Sequence, residues 1–142
     1  MFKNGEIEKY YLAITKNIPE KKQDTLIHWL SKNSKTNKST YFKSETKNSK
    51  KAILNYKLLK KLDRYNLLEI KLETGRHHQI RCQLQAIGCP IKGDLKYGYD
   101  RSNKDGGIDL HAKTVIFNHP ITKNIVKINA PVKKNKIWKA TQ

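Results

Sequence analysis

Between Leu67 and Pro90 the apolar period changes from two to about three and a half within a dozen residues. Leu68, Ile70 and Leu72 alternate as on one face of a strand, whereas Ile80, Leu84 and Ile87 recur at helical spacing. A strand followed by a tight turn and a helix must lay both apolar faces against the same core. Gly88 supplies the helix stop and Pro90 prevents its resumption, so the pattern predicts a helix from His77 to Ile87. The turn between the two elements is "ETGRHHQ", which concentrates cations, imidazoles and an amide in a place where a core needs none.

The rest of the chain is read outward from this unit. Residues 8–15, "EKYYLAIT", alternate as a strand with Tyr11 and Ala13 on one face and Tyr10, Leu12 and Ile14 on the other. "DTLIHWL", residues 24–30, reads as a short helix capped by Asp24 or Thr25, with Trp29 as a core anchor. Ser31 to Lys50 is almost wholly Ser, Lys, Asn and Thr, and reads as a long mobile loop within one domain. Ala52 to Lys60 pairs with Leu67 to Glu73 as a hairpin through "KLDRYN", in which Asp63 and Asn66 favour the turn. "LHAKTVIFNHP" forms a strand ending at Pro120, and "NIVKINAPV" returns as its partner. Strands joined mainly by hairpins predict an α+β fold with a mixed, largely antiparallel sheet and flanking helices.

A chain of 142 residues can bury roughly two-thirds of its unfolded surface, which suffices for one domain. Thirty Lys and Arg against twelve Asp and Glu give a net charge of +18, which a polyanion best compensates. Nucleic acid is the first candidate and an anionic membrane surface the second. The longest apolar run near the start, Tyr10 to Ile14, is too short for a signal-peptide core or a spanning helix, so a cytoplasmic protein without membrane attachment is expected. Cys82 and Cys89, held about 10 Å apart by an intervening helix, cannot bridge. A metal site from His77, His78, Cys82 and Cys89 is disfavoured, because no paired-cysteine spacing exists and adjacent histidines on a helix diverge by about 100°.

On a helix His77 and Arg81 share one side, at the margin of the Ile80, Leu84 and Ile87 stripe. A partly buried guanidinium there requires a fixed anion, either an internal Asp or Glu or a bound phosphate or carboxylate. Gly75, the free amides of the first helical turn and Arg76 together suit a phosphate; an ordinary glycine turn is the plainer alternative.

The segment "LETGRHHQIRCQLQAIGCPIKGDLKYG" resembles the C-terminal signature of the RluA family of RNA pseudouridine synthases, TGR, one variable residue, HQIR, a helix and then a G.PI.GD..YG run. "EKYYLAI" resembles the K.Y.A strand of that family and "LHAKTVIFNHPITKNIVKINAPV" its closing segment, so the likeness runs from Glu8 to Trp138. It implies isomerisation of uridine within rRNA or tRNA, with no cofactor. It assigns Tyr11 as the active-site tyrosine that stacks on the base, Arg81 as the cation pairing the catalytic aspartate, and Ile80 as the apolar residue beside the tyrosine. Arg76, His78 and Gln79 fall at positions that shape the pocket and its RNA-facing turn. His77 occupies the variable position, and Asp94 is expected to fasten a loop.

One family element has no counterpart. The nucleophilic aspartate of the family lies in an HRLD segment followed by a TSG-like turn, well before the K.Y.A strand. Here all six aspartates, Asp24, Asp63, Asp94, Asp100, Asp105 and Asp109, follow Tyr11. "KLDRY" contains LDR, but it lacks the histidine and the TSG turn and is rejected. The expectation is therefore a C-terminal part of a catalytic domain, in which Arg81 lacks its carboxylate and the sheet exposes an edge and an apolar face. A separate N-terminal fragment carrying the aspartate would be a partner. The alternative is a catalytically inactive RNA-binding remnant or truncated gene product.

Overall fold

The computed structural model describes residues 7–119, 121–122 and 124–142. Pro120, expected to end a strand, lies outside the described residues. Among the described residues seven strands form one sheet: β1 (Ile7–Thr15), β2 (Gln23–Asn33), β3 (Lys38–Phe42), β4 (Lys50–Lys61), β5 (Asn66–Leu72), β6 (Leu110–Asn118) and β7 (Ile125–Asn129). Their order is β3-β2-β4-β5-β1-β6-β7, and every pairing among them is antiparallel. With helix α1 (Gln79–Ala86), a short helix α2 (Lys136–Ala140) and a 3₁₀ turn at Leu95–Tyr97, the fold is α+β.

Period-two patterning places the two cores. Tyr11 lies opposite Ile70, and Ile70 opposite Tyr56, so odd positions of β1 share a face with even positions of β4 and β5. On that face Ala13, Leu26, Leu54, Leu68 and Ile70 pack under Ile80 and Leu84 of α1 and Ile91 beyond it. On the other face Leu12, Ile14 and Leu67 close around Trp138 of α2. Asn135 caps α2 by accepting from the Trp138 amide at 3.0 Å, which sets the indole over the sheet.

Three expectations are corrected. Residues 24–30 are strand β2, not a helix: they pair with β4 in the register Leu26 to Leu54 and His28 to Ala52. The positions Leu26 and Leu30 satisfy either a helical or a strand period, and the ladder with β4 decides between them. Trp29 consequently sits half-buried on the sheet surface with the Lys51 ammonium 5.9 Å from its ring, while Trp138 is the buried tryptophan. Ser31 to Lys50 is not a loop throughout, since it contains the end of β2, all of β3 and the first residue of β4. Strand β3 is an outer strand whose aromatic residues, Tyr41 and Phe42, stay exposed, so ladder bonds rather than apolar burial hold it. The opposite outer strand, β7, carries Ile125 and Ile128 well exposed.

Candidate active site

The turn after β5 is closed by backbone and amide chemistry. The amides of Glu73 and Thr74 donate to the Ile53 carbonyl, and the Ile53 amide donates to the Thr74 hydroxyl. Gln79 completes the closure: its Oε1 accepts from the Arg76 amide and the Thr74 hydroxyl, and its Nε2 donates to the Ile53 carbonyl and to Gln83 Oε1, all at 2.9–3.0 Å. Those four bonds exhaust the amide, so buried Gln79 fixes the turn and has nothing left for a ligand.

Helix α1 starts two residues later than the spacing predicts, because His78 takes a left-handed conformation with φ 52°. His77 therefore lies outside the helix, and its ring stacks on that of His78 at 3.7 Å between centroids; the divergence expected of adjacent helical histidines does not apply. Beyond them Arg76 donates through Nε to the Lys51 carbonyl at 2.8 Å, anchoring its stem while its terminal nitrogens remain for other partners. Arg76 and His77, with Lys32, Ser39 and Lys50, line a cavity of about 350 Å³ whose walls contain no carboxylate.

Arg81 has an internal partner. Its Nε and Nη2 donate to Oδ2 and Oδ1 of Asp94 at 2.9 and 2.8 Å, a bidentate pair in which the carboxylate is buried. This corrects the expectation of an arginine without a carboxylate and selects the internal alternative that the sequence left open. Asp94 fastens the loop, as expected, and the hydrogen bond raises the Arg81 pKa further. The guanidinium carbon also stands 4.8 Å from the ring centroid of buried Tyr97, a cation–π contact.

The remaining Arg81 nitrogen determines the tautomer of His78. Nη1 lies 3.2 Å from His78 Nε2, and a guanidinium can only donate, so Nε2 accepts. His78 Nδ1 then carries the proton and donates to the Tyr97 hydroxyl at 2.7 Å, which also accepts the Ser39 amide at 2.9 Å. Burial first, and the Arg81 charge second, push the His78 pKa down to about 4. Ser39 donates from its hydroxyl to the His77 carbonyl, so strand β3 docks on the turn through one buried serine.

Tyr11 and Ile80 are brought together: both pack in the core cluster on the α1 face, Tyr11 half-buried at its margin. Arg81, the next residue after Ile80, points about 100° away around the helix and joins His78, Asp94 and Tyr97 instead. Of the aspartates, the two buried ones are engaged: Asp94 by Arg81, and Asp109 by Lys92, Asn103 and Trp138 Nε1. Sequence reasoning did not find Tyr97 or Ser39. Tyr97 was within reach as the aromatic of "GDLKYG", three residues after Asp94; Ser39 carried no local signal.

A family model described as RNA pseudouridylate synthase matches residues 1–86, which include Tyr11, the TGR turn and Arg81. The chain belongs to the RNA pseudouridylate synthase family. Among relatives of this synthase-family chain, the RNA pseudouridine synthase YlyB of Bacillus subtilis is 31% identical over 129 residues, covering 91% of this chain and 42% of that protein. Ribosomal large subunit pseudouridine synthase C of Rickettsia prowazekii is 36% identical over 135 residues, covering 91% of this chain and 43% of the relative. The tRNA pseudouridine synthase C of Vibrio vulnificus is 31% identical, covering 97% and 62%. The solved structure of human RNA Pseudouridylate Synthase Domain Containing 1 superposes with a TM-score of 0.73 at 26% identity, covering 89% of this chain and 55% of that one. The chain thus spans under half the length of the first relatives named, and the structural likeness confirms the sheet and helix arrangement of a pseudouridylate synthase domain. No helix among the described residues is long and apolar enough to cross a membrane.

Proposed function

We propose that this chain works in the isomerisation of uridine to pseudouridine within rRNA or tRNA, in the cytoplasm and without a cofactor. The observation that carries the reading is the family match over residues 1–86, a segment that contains Tyr11, Arg76, His78, Gln79, Ile80 and Arg81. In the reaction the bond from ribose C1′ to N1 of the base breaks, the ring turns, and a bond from C1′ to C5 forms; the C5 proton leaves and N1 gains one. A carboxylate serves as nucleophile or base, Tyr11 holds the detached ring against Ile80, and Arg81 supplies positive charge. The cavity beside the turn, with Lys32, Lys50, Arg76 and His77 around it, suits RNA phosphates.

In this reading the catalytic carboxylate is supplied by a segment with the HRLD and TSG pattern, because none of the six aspartates here has those surroundings, and the two buried ones, Asp94 and Asp109, are engaged within the fold. Asp94 takes Nε and one N–H of Nη2, and His78 takes one N–H of Nη1, so the second N–H of each terminal nitrogen of Arg81 remains for that second carboxylate. The test uses transcribed rRNA and tRNA, the purified chain, and a protein segment carrying HRLD followed by TSG, with pseudouridine located by carbodiimide-dependent stops in primer extension. Stops are expected only with both components and are expected to vanish with Arg81→Ala or Tyr11→Ala; their absence from every RNA with both components refutes the reading. The engaged aspartates also favour a second reading, an RNA-binding protein without catalysis. It expects salt-sensitive binding and no stops under any complementation.

A further inference from the structure

The segment "DRY", residues 63–65, left unused by the chemistry above, has a counterpart in "YDR", residues 99–101. The first is the β4–β5 turn and the second follows the 3₁₀ turn, and the fold brings them to one place. Lys16, Arg64, Tyr65, Tyr99, Asp100 and Arg101 line a single cavity of about 300 Å³. It adjoins a larger hollow of about 510 Å³ that shares Arg64 and Tyr65 and is walled by α2. Three cations face one carboxylate here, and none of Lys16, Arg64 or Arg101 forms an ion pair among the described residues.

The choice of cation is informative. Only four of the thirty basic residues are arginine, so this chain makes bulk positive charge with lysine. Arg76 anchors the glycine turn and Arg81 pairs with Asp94; the other two arginines stand together at this cavity. A guanidinium fork recognises a phosphate bidentately, which a lysine does not. The two tyrosines supply the second half of a nucleotide site. Tyr65 packs against the core around Trp138, and Tyr99 stands with it in the cavity wall, so aromatic rings lie beside the cations where a base can stack.

We propose that this cavity binds a nucleotide of single-stranded RNA remote from the uridine that is modified, with Arg64 and Arg101 on the phosphate and Tyr99 under the base. The cavity lies at the Asn66 end of β5 and the TGR turn at the Leu72 end, so a seven-residue strand of about 20 Å separates the two regions. The inference rests on the reading of RNA as the substrate. It adds that recognition extends along the strand to a second anchorage.

Fluorescence anisotropy with 5′-labelled single-stranded RNA tests it, using oligomers of about 4 and about 20 nucleotides. The double variant Arg64→Ala/Arg101→Ala is compared with Lys22→Ala/Lys127→Ala, which removes equal charge from exposed positions elsewhere. For the long oligomer the arginine pair is expected to lose roughly tenfold or more in affinity and to lower the salt slope by about 1.5, with a smaller loss for the lysine pair. Arg64→Lys/Arg101→Lys, which keeps charge and fold, is expected to restore the salt slope but not the affinity, and Tyr99→Leu to weaken binding without changing the slope. Equal losses in the arginine and lysine pairs, with wild-type binding intact, overturn the second site and leave the substrate reading standing. Wild-type protein that binds neither oligomer overturns both.

Discussion

Removing the carboxylate that holds Arg81 is the sharpest structural perturbation the chain offers. In Asp94→Asn one carboxylate oxygen becomes an amide that points donors at a guanidinium, and the remaining oxygen accepts one bond where there were two. Truncating one partner of a fully buried pair costs about 3–5 kcal/mol. Here the carboxylate is 1% exposed but the Arg81 side chain is 20% exposed and keeps some hydration, which reduces the expected loss to about 2–4 kcal/mol. For a chain of this length that corresponds to a fall in Tm of roughly 6–15 °C. Calorimetry at pH 7, with urea unfolding as a second probe, measures it. Arg81→Met should cost at least as much, since it strands a buried carboxylate, and the double variant should recover at least about 1 kcal/mol of the summed losses because the two residues share one interaction. A loss below about 1 kcal/mol for Asp94→Asn, or strict additivity in the cycle, would show that the bidentate pair does not hold the loop to the helix.

Two further outcomes follow from the same region. His78 has a folded pKa of about 4 against an unfolded value near 6.5, so between these values the unfolded chain binds more protons and stability falls as pH falls. The contribution is complete above about pH 6.5 and should decline by about 2–3 kcal/mol by pH 4, after discount for partial exposure, in the difference between wild type and His78→Gln. An NMR titration placing the His78 pKa above 6 would refute it. At Gly93, with φ +89°, an added Cβ would stand 2.5 Å from Asn103 Nδ2 and 2.8 Å from the Gly107 carbonyl oxygen, whereas at Gly88, with φ +76°, it would meet nothing within 4 Å. Gly93→Ala is therefore expected to destabilise by more than about 2 kcal/mol and Gly88→Ala by about 1 kcal/mol, measured by urea unfolding; equal effects would mean that the Asn103 loop yields freely.

What could be read from the sequence divides by the range of the interaction responsible. Strands β1, β4, β5 and β6 and helix α1 carry their apolar periods within a few residues, and Gly88 and Pro90 end α1 by local chemistry. Strand β2 was ambiguous because Leu26 and Leu30 lie four apart as well as on one strand face, and only pairing with β4, more than twenty residues on, resolves the period. Strand β3 had no alternating apolar pattern, only the adjacent Tyr41 and Phe42; its docking depends on Ser39 meeting Tyr97, 58 residues away, and His77, 38 away. Tyr11, Ile80 and Arg81 stand in ordered motifs legible in the sequence, as does Asp94, but which anion Arg81 takes depends on the path of the intervening loop.

That path has a mechanistic consequence. Asp94 fixes Nε and Nη2, Tyr97 covers the guanidinium face, and His78 accepts from Nη1, so Arg81 is immobilised before any ligand arrives. A cation that need not reorient stabilises a developing negative charge more effectively than a mobile one, because no reorganisation accompanies the reaction. On the proposed function, Asp94 is then a positioning residue: Asp94→Asn should lower the rate of pseudouridine formation while leaving RNA affinity, set by Arg76, Lys32 and Lys50 on the open side of the turn, nearly unchanged. Equal losses in rate and affinity at a temperature where the variant is fully folded would instead assign the Asp94 pair to RNA binding.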